Sequence, residues 1–363
     1  MKPFKFIISG GGTGGHIYPA IAIADALRDS FSDAKFLFIG AKGKMEMEKI
    51  PKAGYPIKEI WISGLQRDSL LKNILFPIKL IISFFQSAFI LLRFRPDFVI
   101  GTGGFVSGPI LLIAHYFKIK TLIQEQNSFA GITNKILGKR VDIIAVAFPN
   151  MDRFFPENKI SLTGNPIRKG LLEVGLKRGQ ALQFFKLDSS KKTLVVLGGS
   201  LGADRINQVI ESHLSFFYDL GIQLIWQCGK LYYDQLQKHN ELKHVQLHAF
   251  LQEMDLLYAA SDLIISRAGA SSVSELALVG KPVLLIPSPN VAEDHQYHNA
   301  KFLANSGGAI VLSENDLKDQ FKESINQLMS VDKKRIREKL SDFARPNATQ
   351  DILLKITQEL KVE

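Results

Sequence analysis

Short apolar runs recur along the chain, each followed by a longer stretch in which apolar residues return every three or four positions. In the first half the runs are FKFIIS, KFLFIG, DFVIG, TLIQEQ and DIIAVA. Runs of this length read as strands and the longer stretches as helices, so the alternation predicts a parallel sheet covered on both faces. Near residue 160 the pattern pauses at KISLTGNPIRKG, where Gly164, Asn165 and Pro166 form a turn signal. It restarts with TLVVLGGS, LIWQCG, VQLHAF, DLIISRAG and PVLLIP. The reading is α/β, with two doubly wound domains at 1–166 and 167–346. A last amphipathic helix from Asn347 to Leu360 carries Ile352, Leu353, Ile356 and Leu360 on one face.

One helical stretch stands apart. Residues 74–92, ILFPIKLIISFFQSAFILL, form the most hydrophobic window of the chain, interrupted by Pro77, Lys79, Ser83 and Gln86. Those interruptions, and α/β sequence on either side, argue against a membrane span. Most of the window is expected to cover the first sheet as a buried helix. A patch of Ile74, Leu75, Ile78, Ile82 and Phe85, with Arg67, Lys72, Lys79, Arg93 and Arg95 near its ends, fits a face that dips into an anionic membrane surface.

Composition adds limits. A chain of 363 residues, 46% hydrophobic and 22% charged, is long enough for two cores and has no disordered tract. The single cysteine, Cys228, excludes an intramolecular disulfide and fits a reducing compartment. The start MKPFKFIISGGG reads as a mature strand rather than a signal peptide. Net charge is +10, and residues 1–166 carry 21 Lys/Arg against 12 Asp/Glu, leaving 24 against 23 for the rest. The first half is therefore the one that meets something anionic. No nucleic-acid-binding module accompanies the charge, so nucleic acid is not an expected partner.

The chemistry lies in the loops. GGGTGGHIYPA, residues 10–20, follows the first strand and opens a helix, as an anion-binding turn does. It contains G-x-G-x-x-G, but the second strand ends in Gly40 and Ala41 where a dinucleotide fold needs an acid for the ribose. An NAD-linked dehydrogenase fails on that ground. His16 closes the loop and serves either as a general base or as a helix cap. GTGGFVSGP at 101–109 and GGSLGA at 198–203 repeat the design after other strands, which suggests diphosphates on the ligands. RAGASSVSE at 267–275 offers hydroxyls, helix-start N–H groups and Glu275, suited to a nucleotide's phosphates and ribose. Asp294, His295 and His298 invite a metal reading, but His295 and His298 are three apart without a convincing third ligand nearby, and no metal site is expected.

GGTGGHIYPA, GTGGFVSGP, EQNSFAG, TGNPIR, GGSLGA, RAGASSVSE and HQYHNA, in this order over nearly the whole chain, closely resemble the MurG family of glycosyltransferases. The resemblance implies a GT-B fold: two Rossmann-like domains facing across a cleft, with the tail 347–363 packing back on the first. It implies inverting transfer of GlcNAc from UDP-GlcNAc to the undecaprenyl-diphosphate-linked MurNAc-pentapeptide, lipid I. A β-1,4 bond then gives lipid II for peptidoglycan synthesis. No cofactor is implied, UDP-GlcNAc being a substrate. The implied setting is peripheral, on the cytoplasmic face of the bacterial plasma membrane, with an anionic membrane surface and other cell-wall enzymes as partners.

Carried over by motif, the donor contacts are Thr13, Gly14, Gly15, Asn127, Arg168, Ser200, the backbone of Leu251, Ala270, Ser271, Ser272, Glu275 and Gln296. Gly103 and Gly104 face the acceptor diphosphate. His16 is the favoured base and Glu125 a weaker one. The sequence departs from the family at Gln124, where relatives carry histidine, at Ser271 and Ser272, where they often carry Leu and Thr, and at His295, where some carry glutamine. Alternatives are a related enzyme with another lipid acceptor, such as diacylglycerol, or a non-catalytic nucleotide-binding protein in which His16 only caps its helix.

Overall fold

A computed structural model of the chain describes residues 2–64, 73–199 and 201–361. It divides into two compact units, Met1–Ile167 with Asn347–Glu363, and Arg168–Pro346.

The first unit is a seven-stranded sheet. Its strands are β1 Lys5–Gly10, β2 Lys35–Ala41, β3 Ile57–Ile60, β4 Phe98–Gly103, β5 Lys120–Glu125, β6 Ile143–Val146 and β7 Ile160–Leu162, in the order β3-β2-β1-β4-β5-β6-β7. Every pairing is parallel. Both faces are covered, which is why the central strands are apolar throughout instead of alternating. Phe6, Ile8, Phe98 and Ile100 point into one core, while Ile7 and Val99 point into the other. The helix Ala348–Leu360 closes the first of these cores with Ile352 and Ile356, flanked by Leu353 and Leu360. An ion pair of 2.7 Å between Lys120 and Glu359 ties the helix to β5.

The second unit holds β8 Lys192–Leu197, β9 Ile222–Gln227, β10 Val245–His248, β11 Leu263–Ser266, β12 Val283–Leu285 and β13 Ile310–Val311. They form a parallel sheet in the order β10-β9-β8-β11-β12-β13. One large core runs from Trp226 and Phe217 to Phe321. The ten strands read from the apolar runs are all present. The three not read are short: β3 sets exposed Lys58 and Glu59 between Ile57 and Ile60, β7 has three residues and β13 two.

The helix Phe76–Phe94 corrects one expectation. It is not a buried cover: only Ser83, Ser87, Ile90 and Leu91 are buried. The small polar residues face the protein, toward the helix Ser107–Tyr116 and β3, and the large apolar ones face out. Ile74, Leu75, Ile78, Ile81, Phe85, Phe89 and Leu92 are exposed, Phe85 to 73%. Ile82, expected in this patch, lies half-buried on its flank. Arg67 and Lys72 fall outside the described residues.

Candidate active site

In the first sheet the winding reverses between β1 and β4, so the loops that leave these strands lie side by side, the position where open α/β sheets bind ligands. Gly11 N–H donates to the Gly103 carbonyl at 3.4 Å. Thr102 Oγ1 donates to the carbonyl of His16 at 2.8 Å, pinning the start of the helix Gly14–Ser30 to β4. The imidazole of His16, half-buried, has Nδ1 2.9 Å from the Gly11 carbonyl. A carbonyl only accepts, so Nδ1 carries the hydrogen, and it is Nε2 that has the lone pair whenever the ring is neutral. The helix cap is Thr13, and His16 makes a different contact.

Gly103 and Gly104 explain the glycines of the second loop. Both have positive φ, +102° and +81°. A Cβ at Gly103 would lie 2.9 Å from His16 Cδ2, and one at Gly104 would lie 2.4 Å from the Gly11 carbonyl oxygen. The loop thus lies directly against the imidazole because it has no side chains there.

Beneath the first loop sits Glu46, fully buried and not anticipated from sequence. Its carboxylate accepts from Gly12 N–H at 2.9 Å and from Ala41 N–H at 3.0 Å. The first loop was read as an anion-binding turn. One of its N–H groups is already taken by an internal carboxylate, which leaves fewer donors there for a phosphate.

Glu125 is bonded at both oxygens. One oxygen accepts from Asn127 N–H and Nδ2, at 3.0 and 3.2 Å, and the other from Gly131 N–H and Asn134 Nδ2, at 3.0 and 2.9 Å. Buried and bonded four times, it shapes the loop that carries Asn127. Gln124 is likewise buried in an amide network. Its Nε2 donates to Asn165 at 2.8 Å, its Oε1 accepts from Gln126, and Asn165 Nδ2 returns to the Gln126 carbonyl at 3.0 Å. Gln126 Nε2 also donates to the Thr102 carbonyl at 2.7 Å. The amide at 124 therefore links the turn Gly164–Pro166 to β4.

In the second unit the same reversal occurs between β8 and β11. Ala270, Ser271 and Ser272 begin the helix Ala270–Val279, with Gly269 at its N-cap. Glu275 lies one turn further on, only 8% exposed, and accepts from Tyr258 Oη at 3.1 Å. Arg168 Nε is 3.4 Å from its other oxygen. Burial raises the carboxyl of Glu275 above the usual range, and Arg168 and the Tyr258 hydrogen bond oppose that. Two residues expected to contact the donor thus meet each other.

The remaining donor residues are held by backbone contacts. Gln296 Oε1 accepts from Ser288 N–H at 2.9 Å and Ala268 N–H at 3.3 Å, joining the loops after β11 and β12. Leu251 N–H donates to Gln227 Oε1 at 2.9 Å, so of its backbone groups the N–H is already used. Gln227 Nε2 also reaches the Gly199 carbonyl at 3.3 Å. Ser200 lies outside the described residues. Thr13, Gly14 and Gly15 stand at the exposed mouth of the first loop. Sequence reasoning missed Glu46, Thr102, Gln227 and Tyr258. Thr102 left a trace inside the motif GTGGFVSGP, and Gln227 as a polar residue ending an apolar strand.

The family model of the glycosyltransferase family 28 N-terminal domain matches residues 6–146, and that of the family 28 C-terminal domain matches 193–352. The UDP-N-acetylglucosamine--N-acetylmuramyl-(pentapeptide) pyrophosphoryl-undecaprenol N-acetylglucosamine transferase of Flavobacterium psychrophilum is 53% identical, with 97% of each chain covered. The chain belongs to this transferase family. The Cytophaga hutchinsonii member is 46% identical over 100% of this chain and 99% of its own. The crystal structure of Acinetobacter baumannii MurG superposes with a TM-score of 0.77 at 28% identity, covering 98% and 100% of the two chains. A UDP-GlcNAc 2-epimerase from Neisseria meningitidis, 14% identical with a TM-score of 0.66, shares the fold. The fold is the two-domain, Rossmann-like GT-B fold.

Proposed function

We infer that this chain transfers GlcNAc from UDP-GlcNAc to lipid I, making lipid II for peptidoglycan. The observation that carries the reading is the 53% identity, over 97% of both chains, to a transferase whose name states that donor and acceptor.

The geometry supports a division of labour. His16, whose Nδ1 is engaged by the Gly11 carbonyl and whose ring lies against the Gly103–Gly104 backbone, is suited to take the proton of the acceptor hydroxyl on Nε2 of its neutral form. As the new bond to the sugar's anomeric carbon forms, the bond to UDP breaks and the diphosphate leaves with the electron pair. A single displacement of this kind inverts the anomeric centre and gives the β-1,4 bond. In the second unit Ala270 to Ser272 offer helix-start N–H groups to the diphosphate, and Glu275 offers a carboxylate to the ribose. Arg168, half-exposed beside Glu275, supplies positive charge to the leaving group, a role a metal fills in other transferases. Glu125, with both oxygens bonded, holds Asn127 in place.

The exposed apolar line on Phe76–Phe94 supports association with an anionic membrane surface, where the lipid-linked acceptor resides. Lys79 beside Trp61, and Arg93 and Arg95 at the end of the helix, supply cations around it. Because Ser83 and Ser87 dock the helix on the first unit, we read it as lying on the membrane and not crossing it.

The test is transfer of labelled GlcNAc to a lipid I analogue by the purified protein and by His16→Ala. The variant is expected to lose about 10²- to 10⁴-fold in kcat while UDP affinity holds. A wild type that binds UDP-GlcNAc but transfers nothing removes the assignment. Equal turnover in both proteins removes His16 as base.

A further inference from the structure

The second unit has a cavity of about 500 Å³ at the end of its sheet opposite the donor loops. Its floor is made where the chain enters β11 and β12, at Asp262 and Lys281, whereas the donor residues follow the carboxyl ends of the strands. Five cations line it, Arg178, Lys281, Lys333, Lys334 and Arg337, against the single carboxylate of Asp262.

That carboxylate is already shared. Asp262 accepts from Arg178 at 3.1 Å, from Lys333 at 3.4 Å and from Thr193 N–H at 3.0 Å. Lys281 Nζ donates to the carbonyls of Tyr258, Ala259 and Ser261, at 2.6, 3.0 and 2.5 Å, neutralising the end of the helix Met254–Ala260. Lys334 and Arg337 make no ion pair among the described residues. Arg337 is nonetheless positioned. The helix Ala270–Val279 ends at Gly280 with φ +66°, and a Cβ there would lie 3.2 Å from Arg337 Cγ, so the arginine stem lies over the helix end. Burial, and then the charges of Arg178, Lys333 and Arg337, press Lys281 down to about 8 against the pull of Asp262. The cavity thus concentrates like charge that its own residues leave uncompensated.

We propose that this cavity is a second ligand site, which takes a multiply charged, phosphate-bearing anion between Lys334, Arg337 and the Arg178–Lys281 wall. The volume is that of a small-molecule pocket. A mixture of Arg forks and Lys ammonium groups suits phosphate oxygens in particular. The anion comes either from solution or from a lipid headgroup, and the chemistry of recognition is the same. The site is joined to the donor residues through Tyr258, whose hydroxyl donates to Glu275 and whose carbonyl accepts from Lys281.

The experiment uses the full chain with UDP at saturation, so that the donor loops are occupied, and titrates inorganic pyrophosphate by calorimetry. The wild type is expected to show one further site. Lys334→Ala combined with Arg337→Ala is expected to weaken it about tenfold or more, with UDP affinity and melting temperature unchanged. Lys334→Ala alone, which leaves the packing on Gly280 intact, is expected to weaken it by a smaller factor. A parallel arm measures capture by phosphatidylcholine vesicles with and without phosphatidylglycerol. Loss of pyrophosphate binding in the double variant assigns a soluble anion, and loss of vesicle capture assigns a headgroup. If the wild type binds no pyrophosphate beyond the donor site and the double variant is captured by vesicles as well as the wild type, the proposal is wrong. Since the readout is binding, it stands apart from the outcome of the transferase assay.

Discussion

The two units place their loops at the same point of the same topology, yet they satisfy those loops in opposite ways. In the first, Gly11, Gly12, Gly103 and Thr102 bond to one another, to His16 and to the buried carboxylate of Glu46. In the second, the central contact is the pair of Arg168 and Glu275, and the Arg168 side chain is 51% exposed. A closed set of internally matched bonds holds one geometry. An ion pair whose guanidinium is half-exposed can be opened by a ligand at less loss than a pair buried on both sides, because solvent reaches the arginine although Glu275 is buried. The contrast suits a unit that must aim a base and a unit that must admit and release a charged nucleotide.

The first unit's rigidity is easiest to break at Gly104. An alanine there meets both the positive φ and the Gly11 carbonyl at 2.4 Å, so the loop must leave the imidazole. Gly104→Ala is expected to lower kcat about 10²- to 10³-fold with UDP affinity unchanged, measured by steady-state transfer and calorimetry. Equal loss of UDP binding would show that the two units do not divide the work.

The comparison extends to the apolar helices. Ala270–Val279 buries Val273, Leu276, Ala277 and Val279 in the second unit, while Phe76–Phe94 turns its largest side chains outward. Exchanging Phe85 and Phe89 for glutamate removes about 1.5–3 kcal/mol of burial per side chain at a membrane. Capture by anionic vesicles is expected to fall about a hundredfold, with the melting temperature of the lipid-free protein unchanged. A drop in melting temperature instead would mean that the face is covered by protein.

Glu46→Gln probes the bonds under the first loop. A glutamine keeps one acceptor for Gly12 or Ala41 and turns an N–H₂ group against the other N–H, which leaves a buried donor unmatched. A loss of about tenfold in kcat with little change in the Michaelis constant for the donor is expected, and Glu46→Ala should not be milder. An unchanged kcat would show that His16 holds its place without this support.

The sheets were legible because a parallel strand buried on both faces is apolar along most of its length, and most of the ten runs are of that kind. β3, β7 and β13 were not, since β3 has two exposed charged residues at its centre and β7 and β13 have three residues and two. By contrast β10, also a short edge strand, showed itself by alternating buried Val245 and Leu247 with half-buried Gln246 and His248. The glycine loops and His16 were legible as chemistry, but the bond from Nδ1 to Gly11 was not, because it depends on β1 and β4 being neighbours. Glu46 was hidden for the same reason: it is one glutamate at the start of a short helix until the fold carries it under Gly12. The outward face of Phe76–Phe94 was misread because hydrophobicity alone does not say which side of a helix meets the protein. The two buried serines were the clue.

The smallest expected effect lies in the second unit, at Glu275. Its carboxyl is raised above the usual range in the folded chain, chiefly by burial, so the native state holds that proton more tightly than the unfolded chain does. The associated stability is fully present below the ordinary glutamate range and is lost as pH rises through the raised value. Over that window the ligand-free wild type should lose stability relative to Glu275→Gln, which has no proton to release, in urea unfolding followed across pH. Arg168 opposes the shift, so Arg168→Ala should carry the window to higher pH. A window that stays in place in Arg168→Ala would show that the half-exposed guanidinium is screened too well to act on Glu275. The ion pair would then be a contact of geometry alone, and the contrast between the units would rest on the first unit's closed loops.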